Sequence, residues 1–210
     1  MAIAVLTIGV RFAFSRRDKP NVAKNGNITS EEFFRLTRAA QWVGPPSAPV
    51  VILLYSDYLC GFCKELNDLL ATLRQRYPQH LALAIKHFVA PSKEPQALIP
   101  IAAECAADQE GFIEFHNAAF ASGRVLEYSE GWRYVASGLS LPDTAAFTSC
   151  VLGRRYATRI AEHFEEARRL GVRLTPTLYV NGRVIVGVPP LEHLDSAIAR
   201  HFPGRQTSSW

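Results

Sequence analysis

The chain has 210 residues, 48% of them hydrophobic and 20% charged, with a formal net charge of +4 at pH 7. That is enough chain to bury a substantial core in one compact unit with an elaboration, at a charge level ordinary for a globular domain. Seven Lys/Arg against three Asp/Glu fall within residues 1–40, leaving residues 41–210 balanced at sixteen of each; this argues against a nucleic-acid partner, which would need a basic face on the folded part.

Residues 1–10 are uncharged and mostly apolar, interrupted by Arg11, and Phe12-Ala13-Phe14 then leads into the basic stretch Ser15-Arg16-Arg17-Asp18-Lys19. The run is shorter than the about 20 apolar residues of a spanning helix. It has the apolar core of a secretion signal but no basic segment before it, and Ala13-Phe14-Ser15 is a weak cleavage pattern. Its basic flank lies on the wrong side for an anchor that exports the rest of the chain. The segment reads as a truncated or misassigned secretion signal, with an N-terminal strand or a tail as the alternative.

Val50-Val51-Ile52-Leu53-Leu54-Tyr55 is a continuous apolar run of buried-strand character, and Lys64 to Arg76 carries Leu66, Leu69, Leu70 and Leu73 on one helical face. Between them stands Cys60-Gly61-Phe62-Cys63. A thiol where a strand gives way to a helix faces unpaired N–H groups and the positive end of the helix dipole, which favour a nucleophilic thiolate. This is the chemistry of thiol–disulfide exchange. The alternative, half of a zinc site, needs a second close pair of ligands, and Cys105 and Cys150 stand 44 intervening residues apart. A purely structural 60/63 bridge would close too short a loop to stabilise much.

Leu81 to Val89 reads as a second strand, parallel to the first through a right-handed helical crossover. From Pro95 to Gly171 helical spacing recurs, at Leu98, Ile101, Ala102 and Cys105, at Phe112, Phe115 and Ala119, and at Tyr156, Ile160, Phe164 and Ala167, cut by glycines and ended by Gly171 as a C-cap. Four cysteines allow three pairings, and the expected one joins Cys60 to Cys63 and Cys105 to Cys150. The second bridge would be worth about 4 kcal/mol on the chain-entropy account and would persist outside a reducing cytosol; two independent buried thiols are the alternative. Thr175-Pro176-Thr177-Leu178-Tyr179-Val180-Asn181-Gly182-Arg183-Val184-Ile185-Val186-Gly187 reads as strand, Asn-Gly hairpin turn and strand. Pro176 there is either a trans proline opening a strand or a cis proline beside a neighbouring site. Pro190 opens a last helix through about Ala199.

The stretch Trp42 to Val50, then Tyr55-Ser56-Asp57-Tyr58-Leu59-Cys60-Gly61-Phe62-Cys63-Lys64, then the Thr-Pro-Thr-Leu-Tyr-Val-Asn-Gly run resemble the DsbA-like branch of the thioredoxin superfamily, in order from about Trp42 to His201. The resemblance implies an α/β thioredoxin fold split by an inserted helical domain. Residues 31–94 and 171–201 would form the two parts of the thioredoxin domain and 95–170 the insertion, with 1–30 and 202–210 outside them. It also implies Cys60 as the exposed nucleophile, Cys63 as the resolving thiol, and Pro176 as the cis-proline facing them. Thr175, Gly61 and Phe62 then contact substrate, a protein or peptide carrying thiols or disulfides, held as an added short strand along Thr175-Pro176. No cofactor beyond the redox-active disulfide and no metal are expected; a membrane or soluble redox partner and an extracytoplasmic, periplasm-like location are.

Two departures bear on direction. Many relatives have an acidic residue six positions before the first cysteine, as a proton acceptor beneath the resolving thiol, where this chain has Leu54. Phe62 brings no cation to the thiolate, and the Gly61-Phe62 pair is similar to the Cys-Gly-Tyr-Cys of isomerases rather than to the Pro-His of strong oxidants, so a less oxidising couple is expected. Asp57, three before Cys60, reads as a cap at the helix start, with tuning of the active-site field as the alternative. His87 and His116 lack partners at ligand spacing and read as structural, and Phe33, Phe34, Trp42, Phe112 and Phe115 as core or groove lining.

Overall fold

The computed structural model describes residues 25–93 and 96–200; the N-terminal apolar run and the C-terminal tail lie outside them. Thr29 N-caps helix α1 (Ser30–Thr37), its Oγ1 accepting the Glu32 N–H at 3.2 Å. Strand β1 (Gln41–Val43) follows, then β2 (Val50–Ser56), α2 (Gly61–Arg76) and β3 (Leu81–His87). Five helices come next: α3 (Leu98–Ala107), α4 (Phe112–Ser122), α5 (Gly131–Ser137), α6 (Thr144–Leu152) and α7 (Ala157–Arg169). The chain returns through β4 (Thr177–Val180) and β5 (Arg183–Val186) and closes with α8 (Leu191–Ala199). The described strands form one sheet in the order β1-β3-β2-β4-β5, with β2 and β3 parallel and the other pairs antiparallel.

Strand β2 is buried on both faces, as its unbroken apolar run requires. Its alternation divides the core: Val50, Ile52 and Leu54 pack with α2, α8 and the helices between β3 and β4, whereas Val51, Leu53 and Tyr55 pack with α1 and the end of α7. On the second face Lys86 of β3 is buried, paired at 2.6 Å with Glu166 of α7, whose same oxygen accepts from the Tyr55 hydroxyl at 2.6 Å. The pair satisfies a charge that would otherwise be expensive inside a sheet.

Helix α7 ends in a Schellman turn. Gly171, at φ +83°, donates to Arg168, and Val172 donates to Ala167, the two apolar residues at its ends sharing one cluster. The hairpin turns on Asn181 and Gly182, both at positive φ, the type I′ geometry that matches strand twist. Asn181 also reaches out of the hairpin: its Oδ1 accepts the Val51 N–H at 2.8 Å, its Nδ2 donates to the Pro49 carbonyl at 3.0 Å, and its N–H donates to the Val51 carbonyl. Asn27 and Ile28, assigned from sequence to the N-terminal segment, are tied to this hairpin by hydrogen bonds to Val184 and Gly182.

Candidate active site

The last buried residue of β2, Ser56, leads into a tight turn before α2. The Asp57 carbonyl accepts from Cys60 N–H, and its carboxylate accepts from Leu59 N–H at 2.9 Å. Asp57 thus folds the approach to the helix rather than capping it, which corrects the sequence reading. Cys60 holds the N-cap position, and its carbonyl receives the N–H groups of Cys63 and Lys64. Its sulfur makes no capping bond to the helix. It turns instead to the loop before β4, where the Thr175 carbonyl accepts from the thiol at 3.3 Å. The Thr175–Pro176 bond is cis, and the Pro176 carbonyl is taken up by Gly187 N–H at 2.8 Å.

One helical turn behind, Cys63 is buried, and both cysteines are free thiols. Burial pushes the Cys63 thiol up to about 12; the Ser56 hydroxyl and the Asp57 backbone N–H work the other way, and the Cys60 sulfur adds to the rise. Leu54 lies in the same buried cluster as Cys63, so the surface under this thiol is apolar at that position. Gly61 and Phe62 stand exposed on the rim, as does Leu174 just before Thr175.

A buried polar cluster extends from the site toward α3 and α7. Tyr58 OH lies 3.0 Å from His116 Nδ1, and His116 Nε2 lies 3.0 Å from Asn67 Oδ1. An amide oxygen only accepts, so Nε2 carries the proton and Nδ1 receives the tyrosine hydroxyl. His163 Nε2 faces the Ala39 carbonyl at 2.8 Å. Both rings are therefore held neutral, and burial, reinforced by His87, pushes each down to about 3. Burial raises the Glu104 carboxyl, but the surrounding His87, Gln41 and Arg159 reverse this and hold it at about 2. All three are depressed, so stability is full above the unfolded-state values and falls as pH drops through them. Between pH 6.5 and 5 the two histidines are expected to remove on the order of 2 kcal/mol each, read as a falling urea midpoint; a flat midpoint from pH 7 to 5 would show them titrating normally.

The structure joins Cys105 of α3 to Cys150 of α6 in a disulfide, so neither is available as a partner ligand to the 60/63 pair. Among the described residues no group of three or more His, Cys, Asp or Glu is placed to hold a metal ion. Of the five aromatics singled out, Phe33, Phe112 and Phe115 are core, and Trp42 is half-buried with its indole N–H on the Thr37 carbonyl. Phe34 lines a groove of about 400 Å³ with Pro46, Pro49 and Asn181, at the opposite end of β2 from Cys60. None of these rings forms part of the thiol site.

A family profile described as thioredoxin matches residues 37–200. The chain belongs to the thioredoxin family. Its thioredoxin fold, with helices inserted between β3 and β4, is shared with a thioredoxin-like oxidoreductase from Silicibacter pomeroyi DSS-3, at 24% identity and a TM-score of 0.68 over 78% of this chain and 92% of that one. Oxidised BdbD from Bacillus subtilis superposes with a TM-score of 0.67 at 19% identity, over 86% of this chain and 98% of its own; the fold is also that of Wolbachia pipientis α-DsbA1, at 18% identity and a TM-score of 0.67 over 77% of this chain and 89% of that one, and is DsbA-like. A Na(+)/H(+) antiporter NhaA 1 of Salinispora arenicola is 32% identical over 162 residues, 77% of this chain but 24% of the antiporter. This thioredoxin-family chain thus spans about a quarter of the length of the curated relatives it matches.

Ser56 and Glu104 are two further buried polar residues. Ser56 was legible as the one polar residue closing an apolar strand; Glu104 sits in an apolar helical stretch, where a lone carboxylate signals a buried partner.

Proposed function

We propose that this chain is a thiol–disulfide oxidoreductase acting on protein or peptide substrates. The observation that carries the reading is the half-exposed Cys60 thiol at the start of α2, 3.3 Å from the Thr175 carbonyl, with the second thiol buried one turn behind it. Cys60 thiolate attacks a substrate disulfide, and Cys63 resolves the mixed disulfide; run backward, the same steps oxidise a substrate dithiol. The backbone at Thr175-Pro176 holds the substrate as an added strand, with Gly61 and Phe62 on its flank. The couple is the Cys60/Cys63 pair itself, exchanging electrons with a membrane or soluble redox protein. An extracytoplasmic location is supported by the Cys105–Cys150 disulfide, a bond that reducing compartments do not keep. No helix of the described residues is long and apolar enough to cross a membrane.

An apolar residue at 54 puts no acid beneath Cys63, and the exposed ring at 62 brings no cation to the Cys60 thiolate, so the pair is expected to be less oxidising than the strongest oxidants of this fold. An insulin-reduction assay, with the potential of the 60/63 pair measured against glutathione or dithiothreitol, tests this. Catalysed reduction and a potential more negative than about −120 mV are expected. Failure to reduce insulin together with no titratable 60/63 disulfide would remove the oxidoreductase reading, and a potential at or above that value would remove the assignment of direction.

A further inference from the structure

Resolution needs Cys63 to give up a proton from a buried sulfur, and Leu54 offers no acceptor for it. Among the described residues three buried side-chain atoms hold no hydrogen bond: Ser56 Oγ, His87 Nε2 and Glu104 Oε1. The three residues belong to neighbouring elements, Ser56 to β2, His87 to β3 and Glu104 to α3. Ser56 and His87 are partners in the parallel β2/β3 ladder, where strands lie about 5 Å apart and paired residues point to the same face. That face is the one on which Cys63 packs, since Leu54 and Ile85, two residues earlier on each strand, share its cluster. At one end the Ser56 hydroxyl, on that face, acts to lower the Cys63 thiol. At the other, His87 Nε2 stands 3.4 Å from Glu104 Oε1. The second Glu104 oxygen accepts from Gln41 and from Arg159, whose side chain reaches solvent.

We propose that Ser56, His87 and Glu104 form a buried proton path that serves Cys63 in place of the carboxyl that Leu54 replaces. The inference rests on the oxidoreductase reading of Cys60 and Cys63. As Cys63 Sγ attacks Cys60 Sγ, the Cys60–Cys63 bond forms and the bond from Cys60 to the substrate sulfur breaks, its electron pair leaving with that sulfur, which takes a proton from water. The enzyme dithiol is oxidised by two electrons, and the substrate is reduced. The Cys63 proton passes to Ser56 Oγ while the Ser56 hydroxyl proton passes to the His87 imidazole, and the imidazolium is held against the Glu104 carboxylate. Ser56 touches the reacting sulfur; His87 and Glu104 are positioning residues that act through it.

The groups around His87 leave Glu104 as its counter-charge. His163 from α7 and His116 from α4 are held neutral, Lys86 beside it on β3 points to the opposite face and is paired with Glu166, and Asp57 is pushed upward by burial and committed to Leu59. Glu104 stays ionised across the working range.

Stopped-flow reaction of the reduced full chain with 5,5′-dithiobis(2-nitrobenzoate) separates the steps, the first thionitrobenzoate released reporting attack by Cys60 and the second reporting resolution by Cys63. Ser56→Ala and Glu104→Gln are each expected to slow the second phase roughly tenfold or more at pH 7, to leave the first phase unchanged, and to approach the wild type as pH rises. Ser56→Thr, which returns the hydroxyl, recovers the second phase. A second phase and pH profile unchanged in Ser56→Ala, or a first phase that slows in step with the second, overturns the path. If Glu104→Gln loosens the fold, the Ser56→Ala and Ser56→Thr pair decides by itself, with the melting temperature of each as control. A wild-type chain that releases no second equivalent overturns the oxidoreductase reading instead.

Discussion

Cys60→Ser is expected to abolish insulin reduction, a fall of roughly 10³-fold or more, whereas Cys63→Ser is expected to leave the first attack intact and accumulate a mixed disulfide. The asymmetry follows from burial and direction. Cys60 is half-exposed and aimed at the Thr175 carbonyl, along which a substrate strand would lie, while Cys63 is enclosed one turn behind it. A hydroxyl in place of the Cys60 sulfur is not a nucleophile toward disulfides at neutral pH. A hydroxyl in place of Cys63 leaves the covalent adduct with no internal group to displace it. Intact mass under non-reducing conditions reads the adduct, and full activity in Cys60→Ser would move the chemistry to another residue.

Removing the second disulfide is expected to produce the largest change in stability. Cys105 and Cys150 are 45 residues apart in sequence, and the bond between α3 and α6 ties down a loop of that length in the unfolded chain. On the chain-entropy account this is worth about 4 kcal/mol. The double variant Cys105→Ala/Cys150→Ala should therefore lower the unfolding free energy from urea titration by about that amount. The 60/63 pair should keep its reactivity, because Cys60 is held against the Thr175 carbonyl and Cys63 is influenced by Ser56 and Asp57 at the end of β2. A change under about 1 kcal/mol would mean that helices α3 to α6 are held by packing such as Phe115 and Trp132 against Phe147, with little help from the covalent tie.

The sheet's centre was readable because local pattern and tertiary role coincide there. The apolar run read as 50–55 is strand β2 with Ser56 added, and Asn181-Gly182 marks its turn by the only backbone geometry those two residues share at low cost. Strand β3 was read two residues too long, ending at His87 rather than Val89; Phe88 and Val89 continue apolar, and Phe88 still donates to Ser56 beyond the formal ladder. Strand β1 was missed because three residues with Gln41 and Trp42 half-exposed present no periodicity. Helix α1 was missed despite a legible capping spacing from Thr29 to Glu32, the short exposed helix offering little apolar pattern beyond Phe33 and Leu36. The approach of Cys60 to Thr175 and Pro176 could be anticipated because each of these residues stands inside a compact motif. The surroundings of Glu104 could not: its partners Gln41 and Arg159 lie 63 and 55 residues away, and only the fold brings them to one carboxylate.

Asn181 gives the hairpin turn a second office. By grasping both Pro49 and Val51 it sets how far β4 slides along β2, and β4 is only four residues long before it reaches Pro176 and Thr175. A slip of one residue would turn every β4 side chain to the wrong face and carry the Thr175 carbonyl about 3.3 Å along the sheet, out of reach of Cys60. The hairpin tip, at the opposite end of β2 from the thiols, therefore acts as the zero mark of a short ruler whose other end is the reacting sulfur, and the buried residues between, Leu178 to Val180, hold the ruler in the core.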